Sequence, residues 1–428
     1  MGLVQRHVKL TIFVTVLLTV LATLVVLNLT SSEKKMKRRI EPQYGTGDAQ
    51  FRRAMGSLLG PALVDGNHVV PLVNGEQIFP AMLEAIRTAK HTITFETFIY
   101  WSGDIGRQFA DALAERAANG VKVHVLLDWV GSTKMEPELL ERLNSTGVMV
   151  KRYHPPRWYT LARMNNRTHR KLLVVDGQIG FTGGVGIADP WQGQAQDAEH
   201  WRDSHYRVTG PVVAQMQAAF TDNWMKTTGD VLHGEHYFPK LEPVGDVTAQ
   251  MFRSDPGEGS ESVRLMYLLS IASAQKSVRI AAAYFVPDDL SIETIVAARR
   301  RGVHIEIVVP GPHVDTEMTR RASRARWGSM LEAGVIIYEF MPTMYHCKIM
   351  IVDSVWTSVG STNFDNRSFR LNDEANLNVY DREFAATQIA DFEADRARSR
   401  RITLEEWRTR PWYEKLVEHA AALFRSQL

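Results

Sequence analysis

One short motif occurs twice in this 428-residue chain, and the repetition restricts how the chain can fold. Both copies read His-x-Lys-x4-Asp-x6-Gly followed by Gly or Ser, and they begin at His169 and His346. With ordinary residue usage, one such match is expected about once in a million start positions. Two matches in one chain therefore indicate a duplicated unit rather than a coincidence.

The sequence around the two motifs also repeats, in an order typical of an α/β fold. Hydrophobic periodicity in the first half predicts helices at 77–89, 106–119 and 138–144, and strands at 91–100, 121–127 and 147–150. The second half echoes them, with 271–280 matching 86–95, 298–308 matching 117–126 and 333–337 matching 146–150. The first motif is expected to form a hairpin that turns at Asp176 and Gly177. We expect two duplicated α/β units whose central sheets form one joint active site.

The domain boundaries are predicted from these repeats. We expect a transmembrane helix at 10–29, a linker at 30–67, a first unit at 68–240 and a second unit at 241–428. The first unit carries ten extra residues before its histidine, around 155–159, and the sequence does not say whether they form a lid.

The C-terminal part of the second unit is predicted to be helical at 383–399, at 403–408 and from 411 to the end. Its apolar contacts are expected from Trp407, Trp412, Leu416, Leu423 and Phe424. We expect these helices to pack onto the second unit; membrane contact is the alternative for amphipathic helices of this kind.

Residues 10–29 carry no charge and are apolar apart from four threonines and one asparagine. Twenty helical residues span about 30 Å, which is the thickness of the hydrocarbon core of a bilayer. A cleaved signal peptide is the alternative. A retained anchor is favoured because the segment is long for a signal sequence and residues 27–32 lack a small-x-small cleavage site.

The charges that flank this segment predict its orientation. Arg6 and Lys9 precede it, whereas five basic residues follow it: Lys34, Lys35, Lys37, Arg38 and Arg39. This excess favours a cytoplasmic location for the C-terminal side, with the protein a single-pass component of the inner (plasma) membrane. The same cluster also suits contact with anionic headgroups.

Composition excludes some classes of function. The net charge is +2 on 50 basic and 48 acidic residues, unlike the strong basicity of a dedicated nucleic-acid binder, so no nucleic-acid partner is expected. The single cysteine, Cys347, excludes an intramolecular disulfide framework and a cysteine-rich zinc site. The oligomeric state cannot be read from the sequence.

The repeated motif supplies residues suited to phosphoryl chemistry. Side chains two apart on a strand share a face, so His169 projects with Lys171 and His346 projects with Lys348. Two ammonium groups can neutralise a phosphodiester and its transition state. One imidazole can attack phosphorus while the other protonates the leaving oxygen. Such a site requires no metal or other cofactor.

A nucleophilic histidine also needs an acceptor for its second nitrogen. Two carboxylates lie downstream in matched places, Asp203 at 34 residues after the first motif histidine and Glu374 at 28 after the second. Ser361 and Asn363 are candidate hydrogen-bond donors to phosphate oxygens.

Three other motif residues are expected to be structural. Cys347 follows His346 directly, so on a strand it faces away from the histidine and belongs in the core. Asp176 and Asp353 lie at the far ends of their predicted strands, where turn stabilisation is the favoured role.

These motifs resemble the phospholipase D superfamily, and within it the bacterial cardiolipin synthases. The resemblance covers about residue 75 to the C-terminus and includes 283–288 and 360–374. It implies duplicated phospholipase D-like units and a covalent phosphohistidine. It further implies His169 as nucleophile, His346 as acid, and Asp203 and Glu374 as the carboxylates that orient them. It also places Asp176 and Asp353 in the catalytic motifs of the family.

The chain departs from this family at one place. After Gly183 and Gly184 the family usually has an asparagine, whereas this chain continues Val185-Gly186-Ile187. Asn363 keeps that place in the second copy. The first copy has therefore lost one expected phosphate contact, which weakens inference about the headgroup but not about the reaction class.

The resemblance implies an enzyme that transfers a phosphatidyl group between phospholipids and makes cardiolipin from phosphatidylglycerol. Hydrolytic phospholipase D activity, which releases phosphatidic acid, is the alternative, and a catalytically silent membrane scaffold is a third. A nuclease fits the near-neutral charge poorly. Four arginines are candidates for holding anionic headgroups or form a solvated helix face: Arg320, Arg321, Arg324 and Arg326.

Overall fold

The computed structural model describes residues 2–29, 36, 38–155, 165–255 and 261–422. The helices are α1 (Gly2–Leu29), α2 (Ala49–Leu59), α3 (Asn74–Thr88), α4 (Asp104–Ala118), α5 (Pro137–Ser145), α6 (Val213–Thr228), α7 (Ser262–Ser273), α8 (Asp289–Arg300), α9 (Glu317–Arg324), α10 (Gly328–Glu332), α11 (Asn366–Arg370), α12 (Arg382–Ala397), α13 (Leu404–Thr409) and α14 (Trp412–Ala422). Of the predicted insertion around 155–159, residues 156–159 lie outside the described part of the chain.

The strands form one large sheet and one small pair. They are β1 (Val64–Val73), β2 (Thr92–Thr97), β3 (Lys122–Asp128), β4 (Met149–Tyr153), β5 (Arg167–Thr168), β6 (Leu172–Val175), β7 (Ile179–Gly183), β8 (Ser204–Thr209), β9 (Val247–Ser254), β10 (Ser277–Ala282), β11 (Phe285–Val286), β12 (His304–Pro310), β13 (Ile336–Phe340), β14 (Lys348–Val352), β15 (Trp356–Gly360), β16 (Phe364–Asp365), β17 (Asn372–Tyr380) and β18 (Ser399–Ile402).

The large sheet confirms the α/β class and the duplication. Its first half has the order β4-β3-β2-β6-β7-β8-β1, and its second half has the corresponding order β13-β12-β10-β14-β15-β17-β9. In each of these orders the first three strands are parallel and the remaining neighbours are antiparallel. The second half carries one more strand at its outer edge, β18, which is antiparallel to β13. Antiparallel pairing of β1 with β9 joins the halves edge to edge. The two units therefore share one continuous sheet.

Alternating side chains of the sheet enter different cores, because successive residues of a strand face opposite ways. In β6, Leu173 and Val175 pack in a core with α3 and α4. Leu172 and Val174 pack in a second core that contains residues of both α6 and α12. Because α6 follows the first motif and α12 follows the second, this shared core holds the two halves together.

The predicted linker at 30–67 is partly folded. It contains α2 and the start of β1, and Phe51 and Met55 of α2 are fully buried in the core of the second half.

At the N-terminus, α1 contains the predicted span, and Gln5–Thr23 is long and apolar enough to cross a membrane by length and composition.

The C-terminal helices form close to the predicted positions, but their apolar residues differ in exposure. Trp407 packs against the core of the second half, as expected, and its indole N–H donates to Arg324 O at 2.8 Å. The expectation was wrong for Trp412 and Leu416, which are 75% and 63% exposed. Leu423 and Phe424 lie outside the described residues.

Candidate active site

Two backbone exchanges between the halves bring the histidine motifs together. In the first, β5 of the first half runs parallel to the start of β17, and the His169 N–H donates to Asp373 O at 2.9 Å. In the second, the segment before β8 bridges the segment before β14, and the His346 N–H donates to Arg202 O at 2.8 Å. His169 lies between β5 and β6 and His346 lies two residues before β14, so each motif histidine is next to a strand of its own half and beside the backbone of the other half.

This exchange pairs each histidine with a carboxylate of the opposite copy. His169 Nδ1 lies 3.0 and 3.1 Å from the two carboxylate oxygens of Glu374. His346 Nδ1 lies 2.7 Å from Asp203 Oδ2. The sequence placed each carboxylate downstream of the histidine of its own copy but did not say which histidine it orients, and the structure pairs it with the histidine of the other copy. The reason is the backbone exchange, which places residue 169 beside 373 and residue 346 beside 202.

The carboxylate of Glu374 is held by side-chain donors of the second half. Ser361 Oγ donates to Glu374 Oε2 at 2.5 Å, and Asn372 Nδ2 donates to Oε1 at 3.3 Å. Ser361 Oγ also accepts the Ala375 N–H at 3.0 Å. Its hydroxyl proton is thus committed to Glu374, which differs from the expected role as a phosphate ligand.

The carboxylate of Asp203 is held differently. Trp191 Nε1 donates to Oδ2 at 3.0 Å, and the Ser204 N–H donates to Oδ1 at 2.8 Å. The position equivalent to Ser361 is Gly184, where a Cβ would lie 2.2 Å from Asp203 Oδ1, so no side chain fits. Trp191 was not identified from the sequence. The available signal was the greater separation of Asp203 from its preceding histidine, because Trp191 lies within that longer stretch.

The second candidate phosphate ligand, Asn363, is buried near Ser361. Its side-chain oxygen has no hydrogen-bond partner within the described part of the chain. The equivalent first-half residue, Gly186, has no room for an asparagine, because a Cβ there would lie 2.7 Å from Ile99 Cβ. The absence of an asparagine from the first copy therefore agrees with the close packing around Gly186. A role for Asn363 in phosphate binding stays a prediction.

The two motif lysines are buried beside their histidines. Lys171 Nζ donates to His169 O at 2.9 Å, and Lys348 Nζ donates to His346 O at 2.7 Å. Burial, followed by the nearby charge of Lys348, lowers the pKa of Lys171 to about 7. Burial also lowers the pKa of Lys348 below its ordinary value. These two cations are close together and poorly solvated, which favours binding of an anion.

Burial also controls the protonation of the histidines. It lowers the pKa of His169 to about 4, against the opposing charge of Glu374. Burial, together with the charge of Lys348, lowers the pKa of His346. Burial alone would raise the pKa of Asp203 and Glu374, but the positive charges and hydrogen bonds of their partners outweigh it and leave both pKa values below the ordinary range. The resting site therefore holds ionised carboxylates and neutral imidazoles at neutral pH.

Aromatic rings surround the imidazoles. The ring centroids of Trp191 and Trp201 lie 5.3 and 5.4 Å from that of His346, and Tyr284 lies at 6.3 Å. Phe98 lies 5.2 Å from His169 in an edge-to-face arrangement. None of these rings was identified from the sequence. They replace water around both histidines with apolar surface, which agrees with the lowered pKa values.

The motif aspartates lie at hairpin turns, as their positions predicted. Both have a φ of 52°, in the left-handed region that aspartate tolerates. The Asp176 carboxylate accepts three backbone N–H groups at 2.7 to 2.9 Å, from Lys90, His91 and Thr92. The Asp353 carboxylate accepts the equivalent three, from Gln275, Lys276 and Ser277. Their inclusion among catalytic residues, which the resemblance implied, is not supported by these contacts.

Cys347 is fully buried, as predicted for a core residue. Burial raises the pKa of its thiol to about 12, so the thiol stays protonated. Its Sγ lies 3.9 Å from Ser204 Oγ. These observations leave it without a role as a nucleophile.

The four arginines considered as headgroup ligands are all ion-paired. Arg320 and Arg324 pair with Glu339, Arg321 pairs with Glu317, and Arg326 pairs with Asp289. Because each guanidinium already has a carboxylate partner, the cluster does not present a set of free positive charges.

Proteins of known description match the chain over both halves. A family model described as cardiolipin synthase, PLD-like domain, matches residues 82–224 and 267–396. A cardiolipin synthase of Alkalihalophilus pseudofirmus is 34% identical over 355 residues, which cover 82% of this chain and 70% of that protein. A cardiolipin synthase of Halalkalibacterium halodurans is 33% identical over 390 residues, which cover 90% of this chain and 77% of that protein.

A solved structure shares the fold. The phosphatidylserine synthase of Haemophilus influenzae superposes with a TM-score of 0.68, covering 89% of this chain and 100% of that one, at 15% sequence identity. At this identity the likeness concerns the fold alone. It agrees with the two-unit architecture described above.

Proposed function

The chain belongs to the family of cardiolipin synthases with a phospholipase D-like domain, and we propose that it joins two phosphatidylglycerol molecules into cardiolipin and glycerol. It is an enzyme, a phosphatidyltransferase of the cardiolipin synthase type, and its substrate is a phospholipid. The observation that carries the proposed mechanism is the crossed arrangement of two histidine–carboxylate pairs beside two buried lysines.

In the proposed first half-reaction, His169 Nε2 attacks phosphorus of the first phosphatidylglycerol. Because the carboxylate of Glu374 can only accept, the neutral imidazole carries its proton on Nδ1 and leaves a lone pair on Nε2. The bond from phosphorus to the glycerol headgroup oxygen breaks, and His346 gives that oxygen a proton. The products are free glycerol and phosphatidyl-His169.

In the second half-reaction, His346 removes the proton from a hydroxyl of the second phosphatidylglycerol. That oxygen attacks phosphorus, the bond to His169 breaks, and cardiolipin is released. His346 regains the proton that it gave away in the first step, so the cycle closes without a net proton change. Lys171 and Lys348 neutralise the phosphate oxygens as negative charge develops in each transition state.

The lowered pKa values suit this division of roles. A nucleophile must be neutral, and burial keeps His169 neutral down to about pH 4. The acid must be protonated, and a bound phosphodiester raises the pKa of His346 by adding a negative charge close to the ring. Substrate binding therefore supplies the protonation state that the first step requires.

The surroundings of His346 favour transfer over hydrolysis. Trp191, Trp201 and Tyr284 pack around the imidazole that activates the acceptor. An acceptor hydroxyl carried by a lipid competes better with water where apolar rings line the site. Hydrolysis to phosphatidic acid remains the competing reaction, and the products distinguish the two.

We further propose that α1 anchors the protein in the inner (plasma) membrane and that the catalytic body lies on the cytoplasmic side. The length and apolar composition of Gln5–Thr23 support the anchor. The greater number of basic residues after the helix supports the side. Protease treatment of sealed inside-out and right-side-out vesicles tests it, since cleavage of the body only in right-side-out vesicles would contradict the cytoplasmic assignment.

The reaction is tested with radiolabelled phosphatidylglycerol and membranes that contain the intact protein, His169→Ala, or His68→Ala. His68 is an exposed histidine outside the site and serves as the matched control. Labelled cardiolipin and free glycerol are expected from the intact protein and from the control, and neither from His169→Ala. Labelled phosphatidic acid would indicate a hydrolase, and no product from the intact protein would contradict both reactions for this lipid.

A further inference from the structure

Helix α14 displays its apolar side chains to the exterior. Trp412 and Leu416 are 75% and 63% exposed, and Tyr413 and Val417 are 56% and 39% exposed. At 100° per residue these four positions lie on one arc of the helix. A helix at the surface of a globular protein normally turns such a face toward the core.

The polar face of α14 is the one that packs on the protein. Glu418 is 3% exposed, and its carboxylate accepts from Arg324 Nε of α9 at 3.1 Å and from Arg410 Nε at 2.8 Å. Arg410 in turn lies over the ring of Trp407, 4.0 Å from its centroid. These contacts fix the rotation of the helix about its axis. The outward apolar face is therefore held in place by a buried ion-pair network.

We propose that this face of α14, defined by Trp412, Tyr413, Leu416 and Val417, lies on the surface of a lipid bilayer. The proposal rests on the proposed membrane anchoring through α1, which keeps a bilayer close to the catalytic body. Adjacent tryptophan and tyrosine side chains are the residues that membrane interfaces favour. A short helix with one apolar face and one polar face is the typical element that lies in the interface plane.

A second copy of the chain is a less suitable occupant. A stable interface buries about 20 to 30 residues on each side. The exposed apolar face of α14 consists of four residues of one three-turn helix. A bilayer accepts such a small face without a complementary protein surface, because each side chain inserts on its own.

The position of α14 connects the lipid surface with the active site. Helix α14 packs on α9, and Asp315, two residues before α9, accepts a hydrogen bond from the Tyr284 hydroxyl. The ring of Tyr284 lies 6.3 Å from that of His346. Docking of α14 is therefore linked, through α9 and Asp315, to the side of the site that holds His346.

Site-directed spin labelling of the full chain tests the docking. The native Cys347 is fully buried, so a cysteine introduced by Leu416→Cys is the site expected to react with a nitroxide reagent. The unsubstituted protein controls for labelling of Cys347. Glu141→Cys, at an exposed polar position of α5, provides the matched control label. The labelled proteins are inserted in vesicles of phosphatidylglycerol and phosphatidylethanolamine.

The label at 416 is expected to collide more with oxygen and less with a water-soluble nickel chelate than the label at 141. Equal access of the chelate to both labels would overturn the proposal. Loss of access to both reagents, together with spin–spin broadening that increases with protein concentration, would overturn it in favour of a second copy. The measurement does not depend on turnover, so His169→Ala carrying the same label should give the same result even if the proposed reaction fails.

A kinetic experiment measures how the docking affects the use of lipid substrate. Trp412→Ser with Leu416→Ser is expected to raise KM for vesicle phosphatidylglycerol at least about tenfold, because the loss of one buried apolar side chain already produces a factor of about that size. The rate with a monomeric short-chain phosphatidylglycerol should stay unchanged, which shows that the variant is folded. An unchanged KM for vesicles would contradict the docking, as would an equal loss with both substrates in a folded variant.

Discussion

The two histidine–carboxylate pairs occupy equivalent places in a duplicated fold but are supported by different groups. The pair of His169 and Glu374 is held by the Ser361 hydroxyl and the Asn372 amide. The pair of His346 and Asp203 is held by an indole and a backbone amide, between aromatic rings. The positions of the imidazoles have been kept, whereas the groups around the carboxylates have diverged.

This difference shows how one repeated motif can provide two chemical roles. A nucleophile benefits from a firmly held tautomer, and two contacts between Glu374 and His169 Nδ1 supply it. A group that acts as both acid and base must gain and lose a proton during each cycle. In the structure, Lys348 Nζ lies 3.1 Å from His346 Nδ1. Because His346 has this lysine beside it rather than a second carboxylate, the negative charge of a nearby phosphate changes its protonation more easily.

Replacing either histidine is expected to have the largest effect, a loss of transfer of at least about 10⁴-fold. The two variants should differ with an activated phosphatidyl ester whose leaving group needs no proton. His346→Ala should still form the covalent phosphatidyl-enzyme with that ester, and His169→Ala should not. Mass spectrometry of the quenched protein detects the adduct. An adduct on residue 346 in His169→Ala would reverse the assigned roles.

Replacing the carboxylates is expected to have the next largest effect. Glu374→Gln and Asp203→Asn each replace a carboxylate, which can only accept, with an amide that can also donate. The imidazole tautomer is then no longer fixed, which can lower the rate by up to about 10⁴-fold. Glu374→Gln should slow formation of the adduct from the activated ester, whereas Asp203→Asn should slow mainly its transfer to an acceptor alcohol. Rapid-quench measurement of the two steps checks this. Equal effects of both variants on both steps would remove the distinction between the pairs.

The support of Glu374 is expected to matter less than Glu374 itself. Ser361→Ala removes a hydrogen bond to a buried charge, worth about 1.5 to 3 kcal/mol, and should slow adduct formation by roughly tenfold to a hundredfold. Ser361→Thr, which keeps the hydroxyl, should recover most of the rate. If Ser361 instead bound phosphate directly, the alanine variant would mainly raise KM rather than lower kcat, and this outcome would restore the role first expected for it.

The pH dependence is expected to be the smallest effect near neutrality. Lys171 has a pKa of about 7 in the resting site, so it is charged below that pH and neutral above it. The value of kcat/KM should fall as pH rises through about 7, by no more than tenfold per unit. On the acidic side, His169 stays neutral to about pH 4, so no decline from its protonation is expected between pH 7 and 5. A kcat/KM that rises steadily to pH 9 would contradict this assignment.

The sequence allowed the duplicated α/β fold, the hairpin turns and the two carboxylates to be predicted. It could do so because those features depend on local patterns and on the spacing within each copy. The crossed pairing depends on contacts between segments about 200 residues apart, β5 with β17, and no local pattern reports them. The hydrogen bonds from Ser361 to Glu374 and from Trp191 to Asp203 join residues only 13 and 12 positions apart, but they depend on side-chain geometry that no sequence period reports.

The outward face of α14 could not be predicted either. Its amphipathic pattern is the same whether the apolar side faces the core or a membrane. Buried pairing of Glu418 with Arg324 and Arg410 decides the orientation, and ion pairs between separate helices are not visible in periodicity. For this reason the expectation that Trp412 and Leu416 pack onto the second unit was wrong.

The crossed pairing is tested most directly by NMR of the ring nitrogens in protein labelled with ¹⁵N-histidine. His169→Ala and His346→Ala assign the two signals. Glu374→Gln should shift the signals of His169 and leave those of His346 in place, whereas Asp203→Asn should do the reverse. If each substitution instead shifted the histidine of its own copy, Glu374→Gln moving His346 and Asp203→Asn moving His169, the joint active site described here would be contradicted.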